Sequence, residues 1–277
     1  LDDLLAYLFL NEFVIMLIKI VFLFKVGLFS CLIAFQAYSQ SSGALHLSTG
    51  IQDFTTRDQG FSSMNYAGIR TASKAIFQLN KAHKTEMFQF EFAYGNLKNR
   101  IGNSLNGMSI GLLNHTFYHR NKPLERKLHW GWSNQNVFHL RSHNGFSNYS
   151  LRYDYLTAFG PSARYLWPFQ WKEQRFEWET IAHLQVLGFQ IKSGYIGADP
   201  EGFSEENAAT DNFLKSMKPF LIGRDWSMGL ASSLYWSLPS ENSLGLRYEL
   251  SMMALNEGQP VSRFGSALEL VLKVKLW

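Results

Sequence analysis

Phe88-Gln89-Phe90-Glu91-Phe92-Ala93-Tyr94-Gly95 sets a large aromatic ring against a small or polar side chain at every step. Successive side chains of a β-strand point to opposite faces, so this stretch has one apolar face and one polar face. A helical reading would need a repeat near 3.6 residues. The period of two recurs downstream. Leu244, Leu246, Tyr248, Leu250 and Met252 alternate with Gly245, Arg247, Glu249 and Ser251. Leu268, Leu270, Leu272, Val274 and Leu276 alternate with Glu269, Val271, Lys273 and Lys275. Trp226, Met228, Leu230, Leu234 and Trp236 oppose Ser227, Gly229, Ala231, Ser233 and Tyr235, and Phe176, Trp178, Ala182, Leu184 and Val186 oppose Glu177, Glu179, His183 and Gln185.

A soluble sandwich also alternates, so strand length has to separate the two cases. The pattern predicts strands near 44–52, 65–80, 87–97, 106–119, 128–140, 149–167, 175–190, 225–237, 243–254 and 264–277. Several are far longer than the five or six residues usual in soluble sheets. Spans of about 9 to 11 tilted residues cross a bilayer. The expected architecture is therefore an all-β, antiparallel up-and-down transmembrane barrel of about ten strands, with eight or twelve as neighbouring counts. Connections alternate between short turns and longer segments rich in Gly, Asn and Ser, the longest near 191–224. Trp130, Trp132, Trp167, Trp171, Trp178, Trp236 and Trp277 all fall near one set of strand ends, whereas Trp226 alone falls near the other. Tryptophan prefers the headgroup zone, so such clustering predicts an interfacial girdle.

These strands, with the terminal Leu268–Trp277 segment, resemble the small outer-membrane β-barrels of Gram-negative bacteria. In that family the last residue is typically aromatic and lies on the apolar face. Trp277 is aromatic but in phase with Lys273 and Lys275, a departure from the pattern. The aromatic, Asn-rich style, with Gln40 after the expected cleavage site, is similar to Bacteroidetes envelope proteins. The resemblance implies lipid and lipopolysaccharide as surroundings, and barrel-assembly machinery as a transient partner.

The long apolar stretch of the chain lies near its start. From Met16, basic Lys19 and Lys25 precede an apolar run that ends at Ala37-Tyr38-Ser39, a signal-peptide pattern over 16–39. Residues 1–15 read as an upstream extension and 40–277 as one barrel domain. Cys31, the single cysteine, leaves with the signal. Leu28-Phe29-Ser30-Cys31 loosely resembles a lipoprotein box, but the residues behind it are apolar where a polar linker is usual.

Composition narrows the function. The 277 residues are 46% hydrophobic, 16% aromatic and 17% charged, with net charge +4 and mean hydropathy −0.13. Disorder and a multi-helix transporter are both excluded. Lys and Arg are dispersed, whereas nucleic-acid binders carry a basic stripe, so no nucleic-acid partner is expected. One Cys excludes a disulfide scaffold.

On the polar faces lie Arg70, Lys74, Arg247, Lys273 and Lys275, balanced by Glu91, Glu177, Glu179, Glu249 and Glu269. Balanced signs favour a pairing network inside the barrel over a one-sign selectivity ring. The leading reading is thus a non-enzymatic outer-membrane barrel, structural or a narrow pore. Two alternatives stand beside it: a barrel-borne hydrolase acting on lipid A or peptide, and a secreted soluble barrel binding a small ligand. For the hydrolase, Ser142, His143 and Asp154 offer a nucleophile, a base and an orienting carboxylate. His46-Leu47-Ser48 has the His-x-Ser spacing of barrel lipid-A deacylases without their flanking pattern. His115, His119, His129 and His183 are dispersed along the chain, so neither metal nor cofactor is expected. The 191–224 segment, acidic first and apolar after, is the candidate for a protein partner.

Overall fold

The computed structural model describes residues 42–60, 62–119, 127–143, 151–193 and 209–276. The expected signal segment, Cys31 and Trp277 lie outside the described residues. Strands β1 (Ser42–Asp58), β2 (Ser62–Asn80), β3 (Lys84–Lys98), β4 (Ser104–Tyr118), β5 (Lys127–His143), β6 (Leu151–Trp171) and β7 (Gln174–Gln185) pair in succession. β8 (Leu187–Lys192), helix α1 (Ala209–Ser216) and β9 (Lys218–Leu221) intervene before β10 (Trp226–Ser237), which pairs with β7. β11 (Ser243–Leu255) and β12 (Val261–Lys275) follow, and β12 pairs antiparallel with β1 from Ala44↔Lys275 to Asp58↔Val261. The result is a closed antiparallel barrel of ten strands, with β8 and β9 in addition.

Those two extra strands continue the β7–β10 hairpin outward. β6 faces β7 at Ser162↔His183 but faces β8 at Phe159↔Leu187, so one extra residue enters around Val186. A residue unmatched on the facing strand is a β-bulge, which bends the ladder and sharpens its twist. β9 pairs with β8, and Ile222 N–H donates to the Val186 carbonyl at 2.9 Å. The expected loop near 191–224 therefore includes paired strand at its end, where Phe220 turns into the barrel and is fully buried. Here the end carrying β8 and β9 is the loop end and the opposite end, with the two-residue β6–β7 turn, is the turn end.

The predicted strands are recovered, but most run further at the loop end. β1 continues six residues beyond the expected limit at Gln52, to Asp58. Its outward side chains there are Asp53, Thr55 and Arg57, so no apolar face marks the strand once it leaves the hydrocarbon zone.

Polarity is inside out. Leu270 is 69% exposed while the adjacent Glu269 is 0% exposed. Leu47, Ile51, Phe88, Phe92, Leu112, Leu234, Leu246 and Leu268 cover the outer wall, and Arg70, Lys74, Arg164, Glu179 and Arg247 are buried. Exposing each large apolar side chain to water would forfeit about 1.5–3 kcal/mol. Such a wall suits lipid. No helix among the described residues is long and apolar enough to span a membrane.

Closure brings β1 and β12 together tightly at one point. A Cβ on Gly50 would lie 2.0 Å from the Leu268 carbonyl oxygen, a backbone atom that cannot move aside alone. Gly50→Val is therefore expected to lower the unfolding free energy by about 1–3 kcal/mol. Urea titration in detergent micelles, followed by heat-modifiable migration, measures this; an unchanged midpoint would refute the tight-seam account.

Candidate functional site: the barrel lumen

Every second residue of each strand points inward, and these side chains fill the lumen with paired charges and apolar layers. Toward the turn end, Arg164 on β6 donates to Glu179 on β7 at 2.6 Å and reaches Gln78 at 3.4 Å. The Tyr235 hydroxyl bridges Glu179 at 3.4 Å and His46 Nδ1 at 3.3 Å. Lys273 pairs with Glu177 at 2.8 Å and lies 5.0 Å from the Tyr235 ring centre. Ile76, Met87, Phe117 and Ile181 form an apolar cluster.

Further along the lumen Lys74 is held by two carboxylates, Glu249 at 2.7 Å and Glu269 at 2.8 Å. Glu269 also accepts from Ser48, and Glu249 accepts from Arg247 at 2.9 Å. The chain continues through Gln89 to Glu91. A Cβ on Gly111 would sit 2.6 Å from the Glu91 side chain, so glycine there makes room for the carboxylate. Arg70 donates twice to Gln52, at 2.6 and 3.1 Å, and its guanidinium sits 3.4 Å from the Phe54 ring centre. Arg70, Lys74, Glu91, His139, His183 and Glu249 help to line an internal cavity of about 80 Å³. That volume is of the size that a few waters occupy.

The loop end is closed by two further layers. Val137, Leu156, Ala158, Phe220, Met253, Leu255 and Val261 form an apolar layer from five strands. Asp58 pairs with Arg141 at 2.9 Å and with Arg152 at 3.0 Å. Asp154 pairs with Arg141 at 2.5 Å and with Arg263 at 2.8 Å.

The expected network thus divides. Lys74, Glu249, Glu269 and Arg247 meet directly, Glu177 meets Lys273, and Glu179 meets Arg164. Arg70 and Glu91 take neutral partners, Gln52 and Gln89. Lys275 leaves the lumen altogether, because β12 ends there and its ammonium reaches Glu241 in the β10–β11 turn. That hydrogen bond holds the Glu241 carboxyl below its ordinary range. Asp58, Arg141, Arg152, Arg164 and Arg263 escaped the sequence reading. Arg164 lies in phase with Ser162 and opposite to Tyr165, a signal that parity along β6 does contain. Asp58 and Arg141 lie beyond the expected strand limits.

Ser142, His143 and Asp154 do not assemble. Ser142 points out of the barrel, between inward-facing Arg141 and His143. His143 Nε2 is 3.0 Å from the Tyr66 hydroxyl, while Asp154 is locked between Arg141 and Arg263. His46 and Ser48 share the lumen but engage Tyr235 and Glu269 respectively. Contrary to their dispersion in sequence, His115 and His183 approach to 5.5 Å between ring centres, as do His119 and His129. Among the described residues no group of three His, Cys, Asp or Glu could hold a metal ion.

On the outer wall at the turn end, Trp130, Trp132, Trp171, Trp178 and Trp236 are exposed and Trp167 is half-buried. Trp167 stacks on Trp178, Trp178 donates its indole N–H to Ser232 at 2.7 Å, and Trp236 donates to Gln174 at 2.8 Å. Rings with a polar edge and an apolar face suit the headgroup boundary.

No family model matches this chain. No curated protein matches it either. Among solved structures, the outer-membrane protease OmpT from Escherichia coli superposes with TM-score 0.51 at 9% identity, covering 86% of this chain and 98% of that one. The translocator domain of autotransporter NalP from Neisseria meningitidis gives TM-score 0.33 at 7% identity, covering 82% and 88%. A FadL homologue from Pseudomonas aeruginosa gives 0.29 at 8%, covering 85% and 90%. The OmpT comparison shows a shared barrel fold and, at 9% identity, nothing further.

The two-carboxylate grip on Lys74 generates a stability prediction. Removing one partner of a buried ion pair costs about 3–5 kcal/mol because the other charge is left uncompensated. Lys74→Met is expected to fall in that range in urea unfolding. Lys74→Met with Glu269→Gln should cost less than the two single changes summed, since the residues share one network. Strict additivity would show that the network does not act as a unit.

Proposed function

We propose that this chain is an outer-membrane β-barrel of a Gram-negative envelope whose lumen is closed at rest. On this reading it is a structural membrane protein that presents the β8–α1–β9 arm at the cell exterior, and it does not serve as an open diffusion pore. The observation carrying the reading is the sealed lumen. The Arg164–Glu179 layer, the Lys74 network, the apolar layer around Phe220 and the Asp58–Asp154 arginine cluster succeed one another along the barrel, and the cavity lined by Arg70, Lys74 and Glu249 is about 80 Å³. The inside-out polarity and the tryptophans at one rim support the membrane location. Lipid and lipopolysaccharide then surround the wall, and the arm is the surface open to a protein partner. A hydrolase is not favoured, since each member of the Ser142, His143 and Asp154 set is engaged elsewhere or points away.

Planar-bilayer recording tests this. Purified chain, with insertion verified by heat-modifiable migration, is expected to give no steady conductance. Truncating the apolar layer with Phe220→Ala and Leu156→Ala should produce brief openings, because the loop-end layer then loses two of its three large, fully buried apolar members. A steady ohmic conductance in the unaltered protein would overturn the closed-lumen reading.

A further inference from the structure

The outer wall departs from its apolar pattern in one place. Along β5 the outward side chains read Leu128, Trp130, Trp132, Asn134, Asn136, Phe138 and Leu140. Two carboxamides therefore interrupt a row that is apolar above and below them. On β4 the outward row is Tyr118, Thr116, Asn114, Leu112, Ile110 and Met108, and Asn114 lies directly opposite Asn134. On its other side Asn114 faces Phe88, the first ring of the aromatic row on β3. This island lies on the outer wall, between Trp132 toward the turn end and Phe138 and Leu140 toward the loop end.

Its hydrogen bonding is incomplete. Asn136 donates to Asn134 Oδ1 at 2.6 Å, and Asn134 donates to the Ala158 carbonyl at 3.3 Å. Asn136 Oδ1 accepts from the hydroxyls of Tyr155, at 3.1 Å, and Thr157, at 2.8 Å. Each amide nitrogen carries a second hydrogen, and these bonds use only one. Asn114 makes no side-chain hydrogen bond among the described residues. Polar groups left unpaired in hydrocarbon are costly, and an intramembrane polar side chain with no partner marks a contact.

We infer that this island is the contact of a two-fold homodimer, formed by β4, β5 and β6 of two copies side by side in the membrane. The inference rests on the wall facing lipid. Two chains inserted in the same direction are related by an axis along the membrane normal, so every depth on one wall meets the same depth on the other. Carboxamides confined to one depth then face carboxamides. Each supplies donors and acceptors in equal number, which makes the strip self-complementary. An anionic headgroup is a poor match, because no Lys, Arg or His stands among Asn114, Thr116, Asn134, Asn136, Tyr155 and Thr157. Acyl chains offer no hydrogen bonds. Beside the strip, toward the turn end, lies an open hollow of about 730 Å³ lined by Tyr118, His119, Leu128, His129, Trp130 and Trp132.

The test is subunit FRET with donor- and acceptor-labelled full chain in liposomes, across protein-to-lipid ratios. Heat-modifiable migration and retention in the membrane pellet are checked for every variant. The unaltered chain is expected to dimerise. Asn114→Leu and the pair Asn134→Leu/Asn136→Leu should weaken dimerisation about tenfold or more, while Asn114→Gln, which keeps the amide, should retain it. Equal dimerisation in the Leu variants overturns the inference. So does an inserted chain that stays monomeric at every ratio, whether bare, carrying bound lipid or bound to another protein. A chain that fails to enter the membrane pellet would instead refute the membrane reading on which the inference rests.

Discussion

A backbone surrounded by hydrocarbon has no water to bond with, so every N–H and C=O must find a partner within the protein. For a sheet this requires that the first strand pair with the last. The β1–β12 ladder meets that demand along nearly the whole of β1, and the rest of the structure follows from it. Once the sheet is a ring, one face of every strand must look outward and the other inward. The alternation in the sequence then has one physical solution, with Leu, Phe and Trp outside and Glu, Lys and Arg inside. Gly50 marks where this constraint is tightest, since the closing strands approach too closely for a side chain.

Ring closure also dictates the chemistry of the interior. Ten strands leave a lumen narrow enough for side chains to span, so a charge placed inside is desolvated and must find an opposite charge within reach. The arrangement answers this by sharing. Lys74 neutralises two carboxylates while Arg247 takes the second side of one of them, and Arg141 bridges Asp58 and Asp154 in the same manner. Extended sharing of this kind ties strands distant in sequence, β2 to β11 and β12, or β5 to β1. A salt bridge on the surface of a soluble protein would contribute little. Here the same pairs are buried and tie strands across the barrel interior.

Much of this was legible in the sequence, and the limits are instructive. The ten barrel strands, their antiparallel order and the turn-end tryptophans follow from parity, because lipid on one side and a polar lumen on the other maximise the contrast between neighbours. The contrast vanishes where the wall leaves the membrane. Asp53, Thr55 and Arg57 face water as Thr56 and Asp58 face the lumen, and a strand with two polar faces reads as a loop. Pairing partners were not legible. Parity assigns Glu179 to the interior, but its bond to Arg164 depends on the β6–β7 register. The same ignorance of register made Ser142, His143 and Asp154 look like neighbours: they are near in sequence, yet adjacent residues of one strand point apart, and Asp154 belongs to a different charge cluster.

Parity also contained the anomaly on the outer wall, since Asn134 and Asn136 are in phase with Trp130 and Trp132, not with Gly131 and Ser133. What sequence could not supply was depth. Only the ladder from Phe88 through Asn114 to Asn134 places the carboxamides beside the aromatic row of β3 and short of the polar extensions at the loop end. A hydroxyl on the same wall, such as Thr49 or Ser232, reaches a neighbouring hydroxyl, carbonyl or indole and costs little. A carboxamide has four hydrogen-bonding sites, more than one flat strand pair can satisfy, and Asn114 satisfies none of its own. Hydrocarbon penalises that deficit, by less than a narrow lumen penalises an unpaired charge but by enough to favour a partner. In the lumen the barrel resolves the deficit by facing strands across a narrow ring; on the outside, where the wall is convex, the second copy inferred above would supply the facing strands.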